Sequence, residues 1–245
     1  GVGKSTVSVN LAKSFESMGK KVGIFDADIY GPSIPLMMPV ERPKTMTGNL
    51  VEAPLHGKTK VISSALFSQQ KAHIMRGPMV ANLVRQLLTQ VNWGPLDVLF
   101  VDYPPGTGDI QLTLSQSARI DAAIMVSTPQ QAALIDVEKA YHMFETLQVP
   151  ILGFIETMSF FTCDNCEKKH YIFNNGGAKK LAQRFGSPLL GEIPLSPAIT
   201  QAGDTGQPIS DQNHPCAQAF EQSSQKVLQE LKQLQTQRQN GLLSF

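Results

Sequence analysis

The chain opens on Gly1-Val2-Gly3-Lys4-Ser5-Thr6 and runs directly into a helical pattern from about Lys4 to Met18. Leu11, Phe15 and Met18 share one face of it, and Gly19 is placed to end it. A glycine turn followed by Lys-Ser at a helix start is the back half of a phosphate-binding loop. Such a loop works only between a strand that aims it and a helix whose N-terminus meets the phosphates. Glycine lets backbone N–H groups close around phosphate oxygens that a Cβ would crowd. Lys4 brings a point charge to the β/γ-phosphates, the Ser5 hydroxyl is a Mg²⁺ ligand, and Gly1, Val2, Gly3 and Thr6 complete the cradle. The alternative is an ordinary glycine turn. The full pattern G-x-x-x-x-G-K-[ST] puts another glycine five residues before Gly3. The first strand, an interior one, is therefore expected to be missing from this chain.

The rest of the pattern fits the α/β class: a mostly parallel sheet flanked by helices on both faces. Strands are expected at Val22–Asp26, Lys60–Phe67, Val98–Asp102, Ala122–Ser127, Ile151–Ile155 and Leu189–Glu192. Between the fourth and fifth, Leu134, Val137, Tyr141, Phe144 and Leu147 form one helical stripe. A last helix over 217–238 turns Phe220, Val227, Leu231 and Leu234 inward and many Gln outward. Residues 1–245 are read as a single P-loop NTPase domain, with a Cys-x-x-Cys segment near 160–172. Trp93 reads as core or interface packing, and Cys216 as a lone thiol. Arg76, in Arg76-Gly77-Pro78-Met79, reads as a surface ion pair or a contact to nucleotide or a partner.

Two acidic clusters follow the loop at strand ends, where open α/β sheets bind ligands. In Phe25-Asp26-Ala27-Asp28, carboxylates at i and i+2 leave the strand on the same side, and Asp28 is placed to orient the attacking water or a metal-bound water. In Val98-Leu99-Phe100-Val101-Asp102, a buried apolar run delivers Asp102 to the Mg²⁺ shell as a Walker B carboxylate. The Pro104-Pro105-Gly106-Thr107-Gly108 turn after it suits a backbone that senses the γ-phosphate.

Cys163-Asp164-Asn165-Cys166 places two thiols three positions apart on a turn, a spacing that can grip one metal. Four readings stay open: half of a cluster site completed by a second copy, a small zinc site with His170, a redox pair, or two inert cysteines. Three cysteines in all are too few for a disulfide framework and suit a reducing compartment. A net charge of +1 offers no bulk attraction to nucleic acid or anionic lipid. No run approaches the roughly 18–20 apolar residues that span a bilayer, so no stable membrane insertion is expected.

These residues together resemble the Mrp/ApbC family of iron–sulfur cluster carrier ATPases, including its mitochondrial branch serving respiratory complex I. The matching stretches are GVGKST, DADIYGPSIP, RGPMV, VDYPPGTGDIQLTLSQ, STPQQAALID, FFTCDNC, IFNNGGAKKLA and LLGEIPLSPAITQAGDTGQPI, in family order up to about Ile209. The resemblance implies ATP and Mg²⁺ as cofactors and a weak ATPase. It also implies a homodimer bridging a 4Fe–4S cluster between the Cys163 and Cys166 pairs, and apo iron–sulfur proteins as recipients. Lys4, Ser5, Asp28 and Asp102 match the family's phosphate lysine, Mg²⁺ ligand, switch aspartate and Walker B aspartate. A signature lysine, which reaches the partner's nucleotide, falls two residues before Gly1. The implied compartment is the cytoplasm or, with a targeting segment upstream, the mitochondrial matrix. One departure stands out: family members read Glu-Asn-Met-Ser where this chain has Glu156-Thr157-Met158-Ser159. Asn can read adenine with a donor and an acceptor whereas Thr offers one hydroxyl, so looser base selectivity is expected. A reductase like the nitrogenase iron protein needs a cysteine soon after the Walker B strand, and none lies between Asp102 and Cys163. A MinD/ParA-type positioning ATPase needs a basic or membrane-seeking surface and has no use for the thiol pair.

Overall fold

The computed structural model describes residues 1–43, 50–67, 77–106, 108–209 and 214–240. Within it the chain divides into two compact units, Lys4–Arg119 with Thr200–Ser210, and Gly1–Gly3 with Ile120–Ile199 and Asp211–Phe245. Arg76 and Thr107 lie outside the described residues.

The first unit begins with helix α1 (Lys4–Ser17), then β1 (Val22–Asp26), α2 (Ile34–Met37), β2 (Val51–Glu52), β3 (Leu55–His56) and β4 (Thr59–Ser63). It continues with α3 (Gly77–Thr89), β5 (Val91–Asn92), β6 (Val98–Asp102) and α4 (Asp109–Ser117). Gly19 ends α1 as expected: at φ +78° it takes the left-handed turn that lets Lys20 N–H reach Phe15 O at 3.1 Å. The sheet order is β3-β4-β1-β6, with β1 parallel to both neighbours and β3 antiparallel to β4. Alternation along the strands gives each face its own cover. Phe100 on β6 meets Phe15 of α1 edge-on, with ring centroids 5.3 Å apart. The opposite face carries Phe25 and Ile62 into a core with Val84 and Leu87 of α3 and Leu114 of α4. Trp93 packs against that cluster, as its core reading expected.

One strand is shorter than the sequence suggests. The Lys60–Phe67 run is extended only to Ser63, because the Ser63 hydroxyl caps a 3₁₀ turn over Ser64–Leu66 by accepting Ala65 N–H at 3.3 Å.

The second unit contains β7 (Ala123–Ser127), α5 (Gln131–Thr146), β8 (Ile151–Glu156), a hairpin of β9 (Phe161–Thr162) and β10 (Lys169–His170), α6 (Gly177–Arg184) and β11 (Leu189–Glu192). The chain leaves it within α7 (Pro197–Asp204) and returns in α8 (Pro215–Gln239). Its three-stranded parallel sheet runs β11-β8-β7. The predicted stripe on α5 is inward: Leu134, Val137 and Phe144 are buried, and Tyr141 stacks on Phe185 at 3.9 Å. Helix α8 opens on Pro215 at its first turn, with His214 Nδ1 accepting Cys216 N–H at 3.2 Å. It buries Phe220, Val227 and Leu234 against the sheet, and Gly191 of β11 leaves room for Ser223 where a Cβ would collide. Cys216 is a free thiol, as expected, and it is buried, which pushes its pKa up. Among the described residues no helix is long and apolar enough to cross a membrane.

Candidate functional site

Parallel pairing of β1 with β6 sets Asp26 opposite Asp102 at the C-terminal edge of the first unit's sheet. Both side chains are sealed from water, at 0% and 2% exposure. Asp102 accepts the Ser5 hydroxyl at 2.6 Å and the Ser8 hydroxyl at 2.9 Å, so the first two turns of α1 are tied to the end of β6. Burial raises its pKa above the usual carboxylate range, the two serine hydrogen bonds and the Lys4 charge oppose this, and the Asp28 charge adds to it. The predicted set of Lys4, Ser5, Asp28 and Asp102 is therefore brought together in this unit.

Asp26, given no role of its own at the sequence level, sits at the middle of this edge. It accepts Ser63 Oγ–H at 3.0 Å, Asp28 N–H at 3.1 Å and Ile34 N–H at 3.4 Å. Burial, and next the charge of Asp102, raise its pKa to about 7. The available signal was the likeness of Val22-Gly23-Ile24-Phe25-Asp26 to Val98-Leu99-Phe100-Val101-Asp102: both are apolar strands ending in Asp. Asp28 accepts Gly31 N–H at 3.0 Å, which folds the Tyr30-Gly31 turn over its carboxylate. The turn after β6 is braced by the buried Gln111, whose amide donates to Pro105 O at 2.6 Å. The Tyr103 hydroxyl pairs with Ser115 Oγ at 3.0 Å, and burial pushes its pKa up to about 12.

In the second unit, Gly3 adopts φ +80°, a conformation that favours glycine. Thr157 turns its hydroxyl onto Val2 O at 2.7 Å and Ser127 O at 3.1 Å. It braces the loop backbone, and its one proton is already engaged. The neighbouring Glu156 is fully buried and accepts Ser159 Oγ–H and Ala178 N–H, both at 2.7 Å. Its carboxylate thus rests on the N-terminus of α6, where the helix dipole favours negative charge.

That anchor fixes the base of the β9–β10 hairpin. Ser159 N–H and Leu195 N–H bond Ile193 O and Phe160 O at 3.0 and 2.8 Å, and Lys169 lies 4.0 Å over the Phe160 ring. Antiparallel pairing sets Lys169 opposite Thr162 and His170 opposite Phe161. Cys163 N–H bonds Lys168 O at 3.0 Å and Glu167 N–H bonds Cys163 O at 2.8 Å, with Glu167 at φ +56° to close the turn. The Cys163 sulfur receives the backbone N–H groups of Asn165 and Cys166 and the Cys166 side chain, which lower its pKa. Cys163 is half-buried and Cys166 exposed, so the predicted pair is together and open to solvent. His170 joins it, its ligand atom and both sulfurs lying within 4.8 Å of one another.

A model of ParA-type proteins, described as the NUBPL iron-transfer P-loop NTPase, matches residues 1–228. The chain belongs to that family. Its relatives include the iron-sulfur cluster carrier protein of Methanocaldococcus jannaschii, 43% identical over 237 residues, 95% of this chain and 82% of the relative. The chloroplastic Fe-S cluster assembly factor HCF101 of Arabidopsis thaliana is 43% identical over 245 residues and 97% of this chain. This chain spans 45% of the length of that plant protein, about half. Among solved structures, a nucleotide-binding protein from Archaeoglobus fulgidus, in complex with ADP and with cobalt found in it, superposes with a TM-score of 0.78 at 37% identity, covering 90% of this chain and 87% of that one. The α/β P-loop NTPase fold and the resemblance to iron–sulfur cluster carriers, expected from the motifs, both hold.

Proposed function

We propose that the chain is an ATP-dependent carrier that holds a 4Fe–4S cluster between two copies of itself and delivers it to apo iron–sulfur proteins. The observation that carries this reading is a solvent-accessible thiol pair, Cys163 half-buried and Cys166 exposed, presented on an anchored hairpin in a member of an iron-transfer NTPase family. The printed names of the relatives, a cluster carrier and a cluster assembly factor, support the cargo; the ADP in the archaeal neighbour supports the nucleotide.

The loop of Gly1, Val2, Gly3, Lys4, Ser5 and Thr6 would take the phosphates, with Lys4 as the charge on the β/γ oxygens. The Ser5 hydroxyl and the Asp102 carboxylate, 2.6 Å apart, are a hard-oxygen pair of the kind Mg²⁺ takes, and the ion would neutralise phosphate charge there. Asp28 orients the attacking water. Asp26 positions Asp28, whose N–H it accepts, rather than touching substrate. With Asp28 the only outward carboxylate of the set, slow hydrolysis suits a protein whose ATP gates cargo. Four thiolates make a cubane site, so each copy supplies Cys163 and Cys166, and both must release their protons. The free thiols call for a reducing compartment, the cytoplasm or the mitochondrial matrix. A positioning ATPase of the MinD type would share this fold but leave the thiol hairpin without a role.

The test is anaerobic reconstitution of the metal-stripped chain, with iron and sulfide counted. About one cluster per dimer is expected, lost in Cys163→Ser and Cys166→Ser while ATP binding persists. A stripped, reduced protein that develops no brown chromophore would sink the reading.

A further inference from the structure

His170 has no part in the function proposed above, yet the hairpin register places it beside both sulfurs. Its ring nitrogens have no hydrogen-bond partner among the described residues. The spacing of the set bears on what it can hold. A tetrahedral ion with bonds of about 2.3 Å to sulfur and 2.0–2.1 Å to nitrogen needs ligand atoms roughly 3.3–3.8 Å apart. The three ligand atoms here all lie within 4.8 Å of one another, so small side-chain rotations close the set on one ion. A cubane gives each thiolate a different iron and so holds its thiolates farther apart than a single ion does.

We propose that, before any cluster is built, one copy of the chain holds a single divalent ion of borderline softness on Cys163, Cys166 and His170, with the fourth position open to solvent. The site shares its thiols with the proposed cluster site but does not depend on cluster formation. Both thiols release their protons to solvent and His170 binds through an unprotonated ring nitrogen. Two thiolates, a neutral imidazole and a 2+ ion make an electrically neutral centre, on a hairpin whose Asp164 and Glu167 charges are already balanced by Lys168 and Lys169. Such an ion keeps the sulfurs from oxidising to a disulfide. It must leave, or be built upon, before thiolates from two copies can share a cluster.

Co²⁺ alone is a suitable probe, because tetrahedral thiolate-bound Co²⁺ shows visible bands and a near-ultraviolet charge-transfer band that the aqueous ion lacks. The metal-stripped, reduced chain is titrated anaerobically, with cluster reconstitution run in parallel. Saturation at one Co²⁺ per chain is expected, with His170→Ala binding about tenfold more weakly or worse and with shifted visible bands. His170→Cys should restore tight binding with a stronger charge-transfer band. Equal Co²⁺ affinity and spectra for wild type and His170→Ala would overturn the proposal, as would saturation at one ion per two chains. If that happens while wild type still builds its cluster, the carrier reading stands alone. Co²⁺ binding that needs His170 in a protein that never builds a cluster would leave the single-ion site standing and remove the carrier reading.

Discussion

Asp26, Asp102 and Glu156 each end a strand, each is almost wholly shielded from water, and each accepts at least two hydrogen bonds from neighbouring hydroxyl or backbone groups. The thiols and imidazole of the β9–β10 hairpin are its physical opposite: half-buried or exposed, at the turn and ends of strands of two residues each, with the His170 ring unpartnered among the described residues. A buried carboxylate is costly to move, because every lost partner leaves a desolvated charge or donor. An exposed hairpin is cheap to open and easy for a partner to approach. In the function proposed above, the strand ends would hold one geometry through a nucleotide cycle while the hairpin lets cargo in and out.

Substitutions should separate the two regions by size of effect. Glu156→Ala strands the Ala178 N–H in a buried site and leaves the Ser159 hydroxyl only Glu192 at 3.4 Å, so a loss of about 3–5 kcal/mol and a melting temperature lower by about 10 °C or more are expected. Glu156→Gln keeps an acceptor and should lose less. Calorimetric melts of both variants decide this, and a Glu156→Ala melt equal to wild type would break the contrast.

Asp26 provides a pH test. Its native pKa of about 7 stands above the ordinary 3.8, so between those values the folded protein holds a proton that the unfolded chain has released. Stability of the nucleotide-free protein should be highest below about pH 4 as far as this group is concerned, fall as pH rises to about 7, and level off beyond. The change is of the order of 2–4 kcal/mol, and Asp26→Asn should flatten it. Denaturant midpoints across that range for both proteins measure it.

Lys4→Ala removes a charge-assisted phosphate contact worth roughly 1.5–3 kcal/mol, so ATP should bind about tenfold more weakly or worse and turnover should stop. Asp28→Ala should keep ATP affinity and lose hydrolysis. Titration calorimetry and phosphate release separate the two. The smallest effect belongs to the hairpin: Cys166→Ser should change folding stability by no more than about 0.5 kcal/mol while removing the cluster. A large destabilisation there would show that the hairpin is part of the structural frame.

The local patterns were legible along the chain itself. A glycine turn before a helix, an apolar strand ending in Asp and a four-residue Cys-x-x-Cys turn are each set by neighbouring residues. For that reason Lys4, Ser5, Asp28, Asp102, Cys163 and Cys166 could be named from spacing, and the α/β class from alternation. Other features required the folded chain. Strand register put Asp26 beside Asp102, and burial at that shared edge, with the charge of Asp102, raised its pKa to about 7. The side chain of Ser63 stopped a strand that its apolar neighbours would have continued. The Thr157 hydroxyl, which stands where the family resemblance puts a base-reading Asn, closes on the carbonyl of Val2. Hairpin pairing brought His170 onto the thiols, where spacing alone left cluster, zinc, redox and inert readings open. Spacing specifies what a segment can offer. Which groups meet, and how dry they become when they do, depends on register and packing summed over the whole chain.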